Sequence, residues 1–150
     1  MDQEAVKKSI EALLPQASFN ENKQFVEVVI SKESWLNSAQ LLKDKLGFDF
    51  LVSLSGVDYA GSMAVVCHLR STSNNSQIVV KIHDSNKDNP SLDSVATVWA
   101  AAEFFEREVY DLLGIQFPNH PDLRRLFLED DFVGHPLRKD YKDEINIIER

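Results

Sequence analysis

At 150 residues and 43% hydrophobic side chains, the chain suits one domain that needs neither disulfides nor a structural metal to fold. Its formal net charge of −8 argues against the basic face that nucleic-acid phosphates require. The single cysteine, Cys67, excludes an internal disulfide and any iron–sulfur or haem ligand cluster, and makes a reducing compartment the default.

The opening segment is charged and amphipathic, which speaks for a helix over 3–14 and against a secretory signal; Val6, Ile10, Leu13 and Leu14 share a face and Pro15 stops it. FVEVVI (25–30) reads as a strand. SWLNSAQLLKDKLG (34–47) reads as a second helix, with Ser34 as its cap, Leu42 and Leu46 one turn apart, and Gly47 at its end. FDFLVSLSGVDYAG (48–61) alternates, so Phe48, Phe50, Val52 and Leu54 are expected on one side of a strand that turns at 58–61. MAVVCHLRS (63–71) and SQIVVKIHD (76–84) are two further strands joined by the hairpin-length STSNN, and NKDNP (86–90) is a loop. From 91 to 114 the spacing of Val95, Val98, Trp99, Ala102, Phe105, Val109 and Leu112 predicts one helix closed by Gly114. After it, Pro118, Pro121 and Pro136 leave room for only a short helical turn near 122–128. The order α-β-α-β-β-β-α is an α+β layout: a small, mixed, mostly antiparallel sheet with helices over 1–115, then an extended arm over 116–150.

No constellation for catalysis stands out. Glu106 and Glu108 are two apart and so point about 200° from each other on a helix, too far for an acid–base pair. Glu103 and Asp111 lie four residues either side of Arg107, which allows either a surface ladder of ion pairs or a charged face that orders the following tail. Cys67 and His68 are strand neighbours and face opposite sides, and neither Gly-x-Ser-x-Gly nor a phosphate loop is present. His120, Asp122 and His135 could converge on a metal, but their spacing is a weak zinc signature.

The tail differs from the rest in its basic residues. Five of the six arginines follow residue 100, whereas eight of the ten lysines precede it. Arginine's planar fork suits carboxylates at poorly hydrated interfaces better than lysine's point charge. In FPNHPDLRRLFLEDDFVGHPLRKDY (117–141), Leu123, Leu126, Phe127, Phe132, Val133 and Leu137 add apolar anchors beside Arg124, Arg125 and Arg138. Prolines cut the entropy lost on docking. This is the composition of an arm laid on a partner; the alternative is a segment that wraps back on its own domain.

Three blocks in order carry a family resemblance: EREVYDLLGI (106–115), HPDLRRL (120–126) and DDFVGHPLRKDY (130–141), with LVSLSGVDY (51–59) upstream. Together they resemble the C subunit of NADH–quinone oxidoreductase, the respiratory complex I family. Lys142 stands where family members often carry a proline. The resemblance implies a cofactor-free member of the peripheral arm, bound against the D subunit with the iron–sulfur B and I subunits nearby. Iron–sulfur clusters, flavin and quinone are then expected on other chains, and the location is peripheral, on the cytoplasmic side of the inner membrane. It also implies that His120, Asp122, Arg124, Arg125, Phe132, His135, Arg138, Lys139, Asp140 and Tyr141 face the partner, that Glu106, Arg107, Glu108, Asp111 and Gly114 form a structural motif, and that the long helix breaks near Trp99–Ala100. Two other readings remain: the same module in a membrane-bound hydrogenase or ferredoxin-linked complex, and a free-standing metal enzyme using His120, Asp122 and His135.

Overall fold

Helix α1 (Gln3–Leu13) buries Val6 and Ile10, and α2 (Trp35–Leu46) buries Trp35, Ala39 and Leu42; both are the apolar faces that helical spacing predicts. A computed structural model describes residues 3–124 and 134–140. Between those helices lie two strands, β1 (Ser18–Asn20) and β2 (Val26–Val29). The short β1 has no apolar run, and the sequence pattern does not predict it. A 3-10 turn at Lys32–Ser34 leads into α2. It places Ser34 in helical geometry with its hydroxyl on Ser31, so Ser34 makes no cap to the helix N-terminus, contrary to expectation. Gly47 does end α2, with φ 75° in the left-handed region.

Strands β3 (Phe50–Asp58), β4 (Met63–Arg70) and β5 (Gln77–Asp84) follow, then α3 (Ala102–Leu113). The sheet order is β1-β2-β5-β4-β3, antiparallel except for the parallel β2–β5 pair. The expected α+β class and mixed, mostly antiparallel sheet are thus present. Register puts Leu54, Val65, Cys67, Ile82, Val80 and Val28 on one face, and all are buried. They form one core with Ile10, Trp35, Leu42, Trp99 and Val109 from the helical layer. Each such side chain contributes about 1.5–3 kcal/mol by leaving water.

Two expectations fail here for definable reasons. A bulge between Leu51 and Ser53 shifts the β3 register. Leu51 and Leu54 therefore point into the core, while Phe50 and Val52 are 50% and 38% exposed, instead of sharing a face with Phe48 and Leu54. The single helix expected over 91–114 is also absent: the segment before Ala102 is a series of turns. Ser91 bridges Gln116 in parallel, Leu92 N donates to Gln116 O at 2.9 Å and Ser94 N to Pro118 O at 3.2 Å. The turns are anchored by Trp99, whose indole donates to Phe48 O at 2.9 Å, and by Lys43, which reaches Val98 O at 2.7 Å. Their apolar side chains are buried all the same, so the helix-like spacing reflects burial rather than helix. The break implied near Trp99–Ala100 is present, with regular helix only from Ala102.

Candidate functional site: the α3 ends and the 134–140 strap

Helix α3 lies against β3, and Gly56 permits the approach. A β-carbon there would sit 2.4 Å from a Leu113 methyl and 2.8 Å from one of Val109. The helix carries the EREVYDLLG block, and both of its ends organise flanking chain.

At the N-terminal end the organiser is Glu106, which is fully buried. Its carboxylate accepts the Ser94 hydroxyl at 2.6 Å and the Val95 amide at 2.9 Å, and so ties the 91–101 turns to α3. Burial pushes its pKa up, the two hydrogen bonds oppose that, and the result is about 7 rather than 4.5. His120 closes the same end. Its ring Nε2 lies 2.8 Å from Glu103 O and 4.0 Å from the nearer Glu106 oxygen, and the Asp122 amide donates to Nδ1 at 2.9 Å. That pattern requires the proton on Nε2, which donates to Glu103 O. Neither His120 nitrogen then has a lone pair left for a metal, which counts against a site on His120, Asp122 and His135. Cys67 is buried on the core face of β4, where burial and then the Glu106 charge push its thiol pKa up, the opposite of an activated nucleophile.

The C-terminal end of α3 leaves carbonyls without helical partners. GHPLRKD supplies them. The His135 ring Nδ1 is 3.0 Å from Asp111 O, and the Leu137 amide donates to Leu112 O at 2.8 Å. The His135 ring also packs on Tyr110 at 5.6 Å. Gly114, at φ 76°, is needed twice: for the left-handed turn that ends α3, and because a β-carbon would lie 2.6 Å from the His135 ring. Beyond Leu137 the Arg138 guanidinium donates to Lys87 O at 2.7 Å and to both Asp140 oxygens at 2.9 and 3.1 Å. The Lys139 amide donates to Asp58 at 2.9 Å. Residues 134–140 thus lie along their own domain as a strap, the wrap-back alternative for this stretch. Leu137 alone among their apolar side chains stands well out, at 60% exposure.

Other expected residues divide. Asp111 is fully buried, so Glu103, Arg107 and Asp111 are not one solvent-facing ladder. Arg107 directs its Nε toward Arg124 O at 3.5 Å, a long contact between the helix and the start of the tail. Glu108 is half-buried on α3. Arg124 and Asp122 pair at 3.0 Å with side chains 65% and 49% exposed, a solvated pair worth little. Arg125, Phe132 and Tyr141 lie outside the described residues, as does most of the helical turn expected near 122–128.

Two residues of the site carry no signal of their own type. Asp58 ends β3 and is only 8% exposed; Lys87 belongs to the loop between β5 and the turns. They form an ion pair, and Lys87 also reaches Tyr59 O at 2.6 Å. Burial, the largest influence, pushes the Asp58 pKa up, but Lys87 and the Lys139 amide outweigh it and leave it lowered. Asp58 falls within the LVSLSGVDY block, which is the one hint the sequence offers. The partner's position 29 residues later is not readable, because nothing local links them.

Comparison with known proteins identifies the family. Residues 28–145 match the family described as respiratory-chain NADH dehydrogenase, 30 Kd subunit. The NADH-quinone oxidoreductase C subunit of Moorella thermoacetica is 38% identical over 135 residues, 89% of this chain and 90% of that protein. The NADH-quinone oxidoreductase C/D subunit of Phocaeicola vulgatus is 50% identical over 110 residues, which is 71% of this chain but 21% of that longer protein. A chain of the membrane-bound sulfane sulfur reductase, an archaeal respiratory membrane complex, superposes with a TM-score of 0.81 over 95% of this chain and 86% of that one; at 22% identity the likeness is one of fold. The chain accordingly belongs to the respiratory-chain NADH dehydrogenase 30 Kd subunit family, as a component of the NADH-quinone oxidoreductase type.

Proposed function

We propose that this chain is a non-catalytic subunit of a proton-translocating NADH–quinone oxidoreductase, docked on the D subunit in the peripheral arm, with the B and I subunits nearby. The observation that carries the partner is the Phocaeicola vulgatus relative, whose name joins C and D and in which the part like this chain is about a fifth of the length. Two components joined in one polypeptide stay at high effective concentration, which is useful only if they work in contact. The exposed Arg124 and Leu137 are described residues well suited to that contact, since their side chains stand mostly in solvent, whereas those of His120, His135 and Arg138 are engaged within the domain. Electrons then pass to quinone through iron–sulfur clusters and flavin held by other chains, and this one supports the assembly on the cytoplasmic face of the inner membrane. Among the described residues no helix is long and apolar enough to cross a membrane.

Co-expression with a tagged D subunit tests the proposal. The expected result is stoichiometric co-purification of a colourless chain that does not oxidise NADH by itself. Failure to co-purify would sink the docking, and a stoichiometric chromophore on the lone chain would sink the supporting role. A second reading, membership of a related respiratory membrane complex, is favoured by the fold likeness to the sulfane sulfur reductase. The D subunit that co-purifies separates the two: cysteine ligands for nickel would indicate a hydrogenase-type relative.

A further inference from the structure

The contacts around Asp58 close a ring. One carboxylate oxygen pairs with the Lys87 ammonium and the other accepts the Lys139 amide at 2.9 Å. Lys87 returns the connection through its own carbonyl, which accepts the Arg138 guanidinium at 2.7 Å. Two segments far apart in sequence, the 85–90 loop and the 134–140 strap, are therefore clasped around one carboxylate at the end of an edge strand. That carboxylate is 8% exposed, and a charge so placed is costly unless both oxygens are occupied. The two ends of the loop are held separately, by Asp84, which accepts the Asn86 and Ser91 amides at 3.0 and 2.8 Å, and by Pro90 O, which accepts the Gln116 amide at 2.8 Å; its middle is held through the Lys87 side chain, on Asp58 and Tyr59 O. Among the described residues the loop belongs to no strand or helix, and the strap is also held by His135 and Leu137 at the end of α3.

We propose that Asp58 is the latch of a two-part clasp: it holds the 85–90 loop and the 134–140 strap shut as one unit, with the Leu137 side chain directed to solvent. The unit opens together because removing either arm leaves the carboxylate half-paired and weakens the other arm. The strap is thereby a device separate from the core, able to open while the sheet stays intact. This inference does not depend on the identity of any partner.

Amide hydrogen exchange on the full chain tests it. Asp58→Asn keeps the volume and removes the charge. Exchange at the Leu137 and Lys87 amides is expected to rise together by roughly tenfold, the equivalent of one charge-assisted hydrogen bond. The Cys67 and Val80 amides in the sheet centre are expected to hold their protection. Trypsin cleavage after Arg138 and Lys139 should accelerate in parallel. Lys87→Met, which leaves the carboxylate in place, must loosen Leu137 and Lys139 although Lys87 touches neither of those amides, and it decides the matter if Asp58→Asn does not fold. An effect confined to the Lys139 amide, or a loosening shared equally by the sheet, would overturn the latch.

Discussion

Glu106 shows how a residue that looks like surface charge acts as a structural junction. Replacing it with Ala would leave the Ser94 hydroxyl and the Val95 amide buried without an acceptor, at a cost of about 2–4 kcal/mol. Gln can accept the Val95 amide with its Oε1 and donate its Nε2 to the Ser94 oxygen, once that hydroxyl turns from donor to acceptor. The raised pKa means that the folded state holds a proton the unfolded state releases between pH 4.5 and about 7. Its contribution to stability is therefore full below 4.5 and declines as pH rises to about 7, by roughly 3 kcal/mol in all. Glu106→Gln should be less sensitive to that rise, and urea unfolding of both proteins at pH 5 and 8 checks it: the gap between them should move in favour of Gln at the higher pH. Gly114 makes a second point at this scale. Gly114→Ala forces a side chain into the left-handed region and against the His135 ring, so a loss of about 2 kcal/mol is expected in the same assay. The glycine is legible as a helix terminator; its closeness to His135, 21 residues on, is not.

At the scale of elements, β3 and α3 are where period-based reading meets non-local structure. The β3 run is apolar at Phe50, Leu51, Val52 and Leu54, so either face could have been the inner one, and a single extra residue decides between them. Phe50→Ser should therefore change thermal stability little, within about 1 kcal/mol, whereas Leu54→Ala should cost about 2–5 kcal/mol. Equal losses from the two would place both in the core and rule out the bulge. The 91–101 segment misleads for the opposite reason. Leu92, Val95, Val98 and Trp99 are all buried, but on a set of turns that joins the one core rather than on a helix. Burial spacing records what is covered and does not say which backbone does the covering. The strand pairs β4 and β5, joined by STSNN, are readable because their contacts are close in sequence.

For the whole molecule, two opposing sets of carboxyls set the response to pH. Asp58, Asp84 and Glu27 are each pushed up by burial and then carried below their ordinary values by hydrogen bonds and lysine partners. Their contribution is present above the ordinary values of 3.8–4.5 and is lost as pH falls through the lowered ones. Glu106 acts the other way above 4.5. A stability maximum on the acid side of neutrality, near about pH 5, is expected from melting temperatures across pH 3–9. The arginines divide at this scale too. Arg124→Ala should leave the melting temperature unchanged and weaken capture of the D subunit, because its side chain is mostly in solvent. Arg138→Ala should loosen the strap in the free chain, since its fork is already committed to Lys87 and Asp140. Equal effects of the two on the free chain would argue against that division.

The sequence by itself determined the family, the α+β class, most of the strands and helices, and the places where glycine ends a helix. Each rests on residues near one another in the chain, or on motif blocks that need no fold to be read. Only the tertiary structure decided which side of β3 faces inward, that α3 begins at Ala102, that Glu106 is buried, and that GHPLRKD is strapped to Asp58 and the end of α3. All four depend on which distant residue arrives to occupy a carboxylate, a carbonyl or an apolar face. Local pattern names the groups that must be satisfied, and the fold alone supplies the partners.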